Sequence, residues 1–358
     1  MNGTSLRSAT ELQDFVRDNE RVHAVGRASK PALHGHARDA AIADLSALSG
    51  IVEYQPSEYT VTVRAGAPVA EVAAALAERG QYLPFDPLLP DCASIGGTVA
   101  ANLSGSRRYR YGGVRDFILG ASVVDGEGRA FRVGGKVVKN AAGFDLSKFL
   151  VGSLGQYAIM TELTFKVFPD VPQFCSLHFR FAQLDAALAA IAFISGSVFV
   201  LDALDLLPSS PTNRGGWALL ARLGGFAETL PRRAKRFVAS AQRETAPLET
   251  LELEEQNGLW NPLAGLNGAA VVKVALSPGQ VPALDAAISG MGRRYSVAGN
   301  VAWLATDDLA LLDRVLRDLS LSGLCLLGAA DRPVIGAPLE RELSARVKQV
   351  LDPEQKLV

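Results

Sequence analysis

The 358-residue sequence is poor in cysteine: three residues, Cys92, Cys175 and Cys325, far apart and in no CxxC spacing. They cannot by themselves ligate an iron–sulfur cluster or a zinc finger, and they are no disulfide framework, so a reducing compartment is expected. A basic excess is also missing. Thirty-six Lys and Arg stand against thirty-seven Asp and Glu, a net charge of −1, which disfavours nucleic acid as a partner. No apolar run is long enough to span a bilayer. The best, Ala186 to Leu201, falls short of the roughly 20 residues required and is broken by Ser195-Gly196-Ser197. It reads as a packed helix, a turn and a buried strand. The start, MNGTSLRSATELQDF, lacks a basic region followed by an apolar stretch, so no signal peptide is read. Neither GxGxxG nor GxxxxGK[ST] occurs, which argues against a nicotinamide Rossmann domain and a P-loop.

What is present is apolar material for sizeable cores, 48% hydrophobic residues, in a length that suits about two domains. The first half alternates short strands and helices. Strands are read at Val22–Val25, Ile51–Tyr54, Tyr59–Arg64 and Thr161–Phe168. A helical stripe runs through Val69, Val72, Ala73 and Leu76, closed by Gly80, and Asp125-Gly126-Glu127-Gly128 makes a hairpin of Ile118–Val124 and Arg129–Val133. The segment Phe168 to Gln173, with two prolines, is the expected boundary between domains 1–169 and 170–358. Beyond it, strands at Phe174–Phe181, Val198–Leu204, Trp217–Leu223, Ala270–Leu276, Tyr295–Leu304 and Gly323–Leu327 alternate with helices. These helices are read at Asp185–Ile194, Leu230–Arg243, Val281–Ser289, Thr306–Leu319 and Leu339–Leu351, a pattern that predicts an α+β cap around an antiparallel sheet.

Three glycine-containing stretches carry the chemical signal. In Val25 to Gly35 a strand ends at Gly26, and Arg27, Ala28, Ser29 and Lys30 follow, so successive amides can face one anion. Taken alone this stretch reads equally as a surface loop. In Pro90 to Ala121, Ser94-Ile95-Gly96-Gly97-Thr98 lets backbone approach a phosphate without an intervening Cβ, and Ala100, Ala101, Asn102 and Gly105 suit a flat ligand. Gly112-Gly113-Val114-Arg115-Asp116 offers a second close approach and a charge pair. In Lys136 to Pro169, Gly152-Ser153-Leu154-Gly155 precedes an apolar strand whose backbone can meet a heteroaromatic edge.

In order and spacing these stretches resemble the FAD-binding domain of the vanillyl-alcohol oxidase / p-cresol methylhydroxylase flavoproteins, and within it the family of FAD-binding subunits of bacterial glycolate oxidase. The residues carrying the resemblance are Val25-Gly26, Ser29-Lys30, Leu33, Gly35, Gly66-Ala67-Pro68, Leu83-Pro84, Gly96-Gly97, Gly112, Val114 to Gly120, Gly134 to Leu146, Val151 to Gly155 and Thr161-Glu162. Leu351-Asp352-Pro353 looks like the closing D-P motif. The resemblance implies an α+β fold, a two-subdomain FAD-binding domain followed by the cap. It implies non-covalent FAD with its pyrophosphate between Gly26–Lys30 and Ser94–Thr98. Asn102, Val114 and Ile159 then lie along the ribityl and adenosine portion, and Pro90, Gly112, Asp116 and Gly155 join the cofactor-binding set.

Oxidising a 2-hydroxy acid needs a base for the hydroxyl proton and a cation for the carboxylate. The four histidines are His23, His34, His36 and His178, so the cap beyond residue 178 has no imidazole to offer. Catalytic residues are therefore not assigned, and His34-Gly35-His36 reads as solvated rather than as a metal site. Arg222, Lys273, Arg293 and Arg294 are either ion-paired or solvated, or bind an anion. Arg107-Arg108-Tyr109-Arg110-Tyr111 is expected to flank the flavin or meet a partner subunit. The resemblance implies a catalytic flavoprotein partner, an iron–sulfur subunit, a small hydroxy-acid substrate such as glycolate, and a cytoplasmic location, with peripheral membrane association through the complex as an extension. A stand-alone flavin oxidoreductase and a scaffold subunit are the alternatives.

Overall fold

A computed structural model describes residues 3–135, 145–209, 215–253, 258–329, 331–338 and 342–358. Most of the Gly134–Leu146 motif and the start of the helix expected from Leu339 fall outside these residues. Near the N-terminus the helix Ala9–Asp18 begins where the Ser8 hydroxyl accepts the Glu11 N–H, and it buries Leu12 and Val16. These side chains pack on the parallel strands Thr4–Ser5, Ala41–Asp44 and Val22–Val25.

Next comes a five-stranded antiparallel sheet in the order Ile51–Gln55, Thr60–Arg64, Ile159–Lys166, Ile118–Val124, Ala130–Gly134. Its inward residues, Val61, Val63, Leu163 and Phe165 among them, meet Val69, Val72 and Leu76 of the helix Val69–Ala77. The final strand of the sheet ends at Lys166, earlier than the sequence pattern suggests. Phe168–Pro169 leaves it to pair with Gln81–Tyr82, and the intervening Val167 N–H is taken by the Tyr59 carbonyl.

The second half folds into a nine-stranded antiparallel sheet. Its order is Glu249–Leu253, Gln173–Phe181, Trp217–Gly225, Ala203–Pro208, Gly292–Ser296, Val301–Thr306, Ala270–Ala275, Ser322–Leu327, Val334–Gly336. Alternation along the strands gives it two buried faces. In Val301–Thr306, Ala302 and Leu304 face the helices Leu184–Ser195, Leu230–Thr245, Val281–Ala287 and Leu309–Asp318. Val301 and Trp303 face the N-terminal half, where they join Leu33, Leu88, Ala101, Leu103 and Leu326 in an apolar seam.

Two expected strands differ. Tyr295–Leu304 is a hairpin, because Val297, Ala298 and Gly299 take left-handed backbone (φ +57°, +54°, +84°) and turn the chain. The strand expected from Val198 starts at Ala203. Val198 is 89% exposed, since the chain must first cross the end of the sheet after Gly196 caps the helix. At the other end, the chain returns to the N-terminal strands after the helix Glu342–Leu351. Leu357 bridges Val22, and the Leu351 carbonyl accepts the Gly126 N–H at 2.8 Å. The fully buried Asp352 carboxylate fixes this return by accepting the N–H groups of Lys356 (2.9 Å) and Leu357 (2.8 Å) and the Lys348 ammonium.

Candidate functional site

Strand Val22–Val25 runs into Gly26, and the loop Arg27–Lys30 turns with Ala28 in left-handed backbone (φ +49°). Among the described residues, the N–H groups of Arg27, Ala28, Ser29 and Lys30 donate to no protein acceptor. Arg27 and Ala28 are exposed and Ser29 is half-buried, so these amides are open to solvent and available to an anion.

Opposite this loop lies the short helix Ile95–Ala100, capped by Ser94. Its amides are already used. Ile95 donates to Ala67, Gly96 to Ala65 and Thr98 to Ser94, leaving Gly97 with a 3.3 Å contact to the Ser94 hydroxyl. The two turns expected to grip together thus divide the work: the first supplies donors and the second a wall. Two positions here have to be glycine, Gly26 and Gly96. A Cβ on Gly26 would stand 2.3 Å from the Ser94 oxygen, and one on Gly96 would stand 2.8 Å from the Ala65 carbonyl oxygen. Gly155 (φ +82°) has open space above it, with Ala24 3.9 Å away.

Two adjoining pockets share Ala24, Gly26, Ser94, Gly97, Ala100 and Leu154. The first is completed by apolar groups including Leu45, Ala65, Ile159 and Met160, the second by Arg27, Ala28, Ser29, Lys30, Leu33, His23 and His34. An apolar compartment next to a donor-rich one suits a nucleotide, ring in one and diphosphate in the other. The residues present therefore fit FAD.

The Lys30 ammonium is the electrostatic centre of the second compartment. The residue is 5% exposed, and among the described residues its one hydrogen bond is a donation to the Ser29 hydroxyl at 2.9 Å. Burial lowers its pKa to about 8, which the nearby Cys92 partly opposes. A buried cation this sparsely paired is poised to take an anionic partner. His34 is pushed down to about 4, chiefly by burial and then by His23, Lys30 and His36. His23 Nε2 and His34 Nδ1 lie 2.8 Å apart, and His23 Nδ1 is 2.9 Å from the Val358 carbonyl oxygen. Among the described residues no group of three or more His, Cys, Asp or Glu is arranged to hold a metal.

Not every expected site residue reaches the pockets. Gly26 to Lys30, Ser94, Gly96, Gly97, Gly155 and Ile159 line them. Ile95 and Thr98 lie buried behind the wall, with the Thr98 hydroxyl donating to the Ser94 carbonyl. The Pro90 carbonyl accepts the Ala70 N–H. Gly112 (φ +95°), Val114 and Asp116 belong to a supporting turn, in which Asp116 accepts the Gly113 N–H at 2.8 Å and Val114 is buried. Asp116 therefore serves a turn rather than an ion pair with Arg115. Asn102 (φ +48°) offers its carbonyl to the Lys273 ammonium at 2.6 Å.

The Arg107–Tyr111 cluster meets the second half of this same chain. Arg110 Nη1 donates to both Asp202 oxygens at 3.0 Å, and Tyr109 donates to Ser195. Sequence reasoning missed the lining groups Ala24, Leu45 and Ala65, which only their small or apolar character marked, while Ala100, Leu154 and Met160 fall in the stretches it singled out.

Residues 5–134 match the family described as FAD binding domain. Over that stretch the chain matches an FAD binding domain of the p-cresol methylhydroxylase type. FAD is the cofactor that this domain indicates. It is 43% identical over 150 residues to glycolate oxidase subunit GlcE of Escherichia coli (strain K12), covering 42% of this chain and 43% of the relative. It is 25% identical over 302 residues to glycolate oxidase subunit GlcD of Bacillus subtilis (strain 168), covering 75% of this chain and 64% of the relative. The matched stretches thus span less than two thirds of either relative. A solved alkyldihydroxyacetonephosphate synthase shares the fold across 98% of this chain and 75% of its own, with a TM-score of 0.70 at 15% identity. Among the described residues no helix is long and apolar enough to cross a membrane.

Proposed function

We propose that this FAD binding domain serves as the FAD-binding subunit of a glycolate oxidase or dehydrogenase complex, in which glycolate is oxidised to glyoxylate with a catalytic flavoprotein partner and electrons pass to an iron–sulfur subunit. The observation that carries the reading is the open-amide loop Arg27–Lys30 with its buried ammonium, in a chain 43% identical over its matched part to a glycolate oxidase subunit. In this reading residues 1–169 hold the cofactor non-covalently and residues 170–358 form the cap, in a cytoplasmic protein. Bound FAD supplies a hydride acceptor that can release electrons singly.

The chain's own groups bind and orient it. The Arg27–Lys30 amides and the Lys30 ammonium hold the diphosphate, the glycine wall admits it closely, and Ile159 and Met160 flank the adenine. What the cap offers beyond that supports the need for a partner. Arg293 is paired with the Asp285 carboxylate and Arg294 with Asp205 (2.8 Å), both buried, so neither is free to receive a substrate carboxylate. The cap's one histidine, His178, lies on the strand Gln173–Phe181, next to the sheet's edge strand.

Anaerobic addition of glycolate tests the assignment. The purified chain is expected to be yellow, to release its flavin in acid and to keep its flavin oxidised when alone, while the flavin bleaches in the co-expressed complex. Bleaching of the isolated chain by glycolate would instead make it a stand-alone oxidase.

A further inference from the structure

The donor-rich compartment is walled on one side by two histidines, His23 and His34, apart from its amides and its ammonium. His23 Nδ1 lies 2.9 Å from the Val358 carbonyl oxygen, and His23 Nε2 lies 2.8 Å from His34 Nδ1. With Nδ1 turned to His23, His34 has Nε2 as its nitrogen open to a ligand; among the described residues it has no protein partner.

These contacts fix where the hydrogens sit. A carbonyl oxygen only accepts, so His23 Nδ1 carries a hydrogen. In a neutral His23 the Nε2 is then an acceptor, and His34 Nδ1 must donate to it. A neutral His34 is left with a bare lone pair on Nε2, which repels an anion. One added proton reverses this, whichever ring it rests on. On His34 it sits at Nε2 itself. On His23 it makes Nε2 a donor, so the hydrogen of a neutral His34 moves from Nδ1 to Nε2.

Resting on the FAD reading above, we propose that the His23–His34 pair takes up one proton when the FAD diphosphate enters this compartment, and that His34 Nε2 then donates to a phosphate oxygen. The free pair is held neutral. Burial, then His23, Lys30 and His36, lower the pKa of His34 to about 4, and burial lowers that of His23 against the opposing Val358 contact. The groups facing the pair are Lys30 and His36, with Arg21 beside His36. His36 stands edge-on to His23 but does not line the compartment. The strand Ser322–Leu327, packed on the same turn, brings no carboxylate. An entering diphosphate supplies the missing anion and so raises the pKa of the pair as a unit. The affinity gained is complete below the range of the free pair and is lost as pH rises through the raised range.

Calorimetric titration with FAD in buffers of different ionisation enthalpy counts the protons. At about pH 5.5 the Lys30 ammonium, lowered only to about 8, is charged with and without ligand. Uptake of close to one proton is expected there, with FAD affinity rising roughly tenfold per unit of falling pH. ADP-ribose, a diphosphate without the flavin ring, should bring the same proton. In His34→Gln both the uptake and the slope should disappear. NMR of the histidine-labelled wild-type chain reads the same event without any variant: FAD should move the His23 and His34 ring signals toward their protonated positions and leave His178 in place. FAD binding without proton uptake would overturn the inference alone, as would uptake that persists in His34→Gln. A wild-type chain that bound neither FAD nor ADP-ribose would remove the FAD reading itself, and the inference with it.

Discussion

Gly97→Val should reduce FAD affinity on the order of 100-fold, as measured by flavin titration of the apoprotein, with little loss of fold. The expectation rests on where the new side chain points. A Cβ at Gly97 would stand 3.1 Å from the Ser94 oxygen and 3.5 Å from the Lys30 ammonium nitrogen, in the space the diphosphate would occupy. Its nearest neighbours are the ends of two side chains that can rotate away, and Gly97 sits in the first turn of a helix without a positive φ, so a valine is accommodated. Overfilling a packed contact costs about 1–3 kcal/mol, and 2.7 kcal/mol corresponds to roughly a hundredfold in affinity. Gly96→Ala makes the contrast. There the Cβ would press on the Ala65 backbone at 2.8 Å, so folding rather than flavin affinity should suffer first. A Gly97→Val protein with full flavin content would remove the Ser94–Thr98 wall from the site.

The second large effect is on stability. Asp205 is fully buried and accepts from the Ser106 hydroxyl at 2.6 Å, Arg294 Nε at 2.8 Å, the Ser296 hydroxyl at 2.8 Å and the Val297 N–H at 3.3 Å. It ties the loop after Gly105 to the large sheet and supports the hairpin turn at Val297. Asp205→Ala would leave the Arg294 guanidinium, itself 4% exposed, without its counter-charge. Stranding a buried charge this way costs about 3–5 kcal/mol, which lowers the Tm by roughly 5–15 °C. Asp205→Asn keeps one acceptor and should cost less. Calorimetry on the two variants checks this; an Asp205→Ala protein melting with the wild type would show that the pair carries no stability.

Short-range signals made much of this legible in the sequence. The hairpin around Asp125–Gly128, the helix Val69–Ala77 and most cap strands follow from alternation, glycine punctuation and helical spacing, which depend only on neighbours along the chain. The loop Arg27–Lys30 was visible for the same reason, as small and polar residues directly after a β-branched strand. Other features depend on partners far away. Nothing local marks the amides of Ile95, Gly96 and Thr98 as consumed, because their acceptors Ala65 and Ala67 arrive on another segment. Arg294 finds Asp205 across eighty-nine positions, and Arg110 finds Asp202 across ninety-two, so side chains that read as free or partner-facing became internal ties. The turn at Val297–Gly299 hid because two of its left-handed residues are a valine and an alanine, which rarely adopt that backbone.

Backbone hydrogen exchange on adding FAD to the apoprotein examines the diphosphate grip amide by amide. The N–H groups of Arg27, Ala28, Ser29 and Lys30 should gain protection, while those of Ile95, Gly96 and Thr98, already bonded in the free chain, should change little. Saturating flavin that leaves the first four amides exchanging as fast as before would contradict the assignment of this loop as the cofactor's anchor.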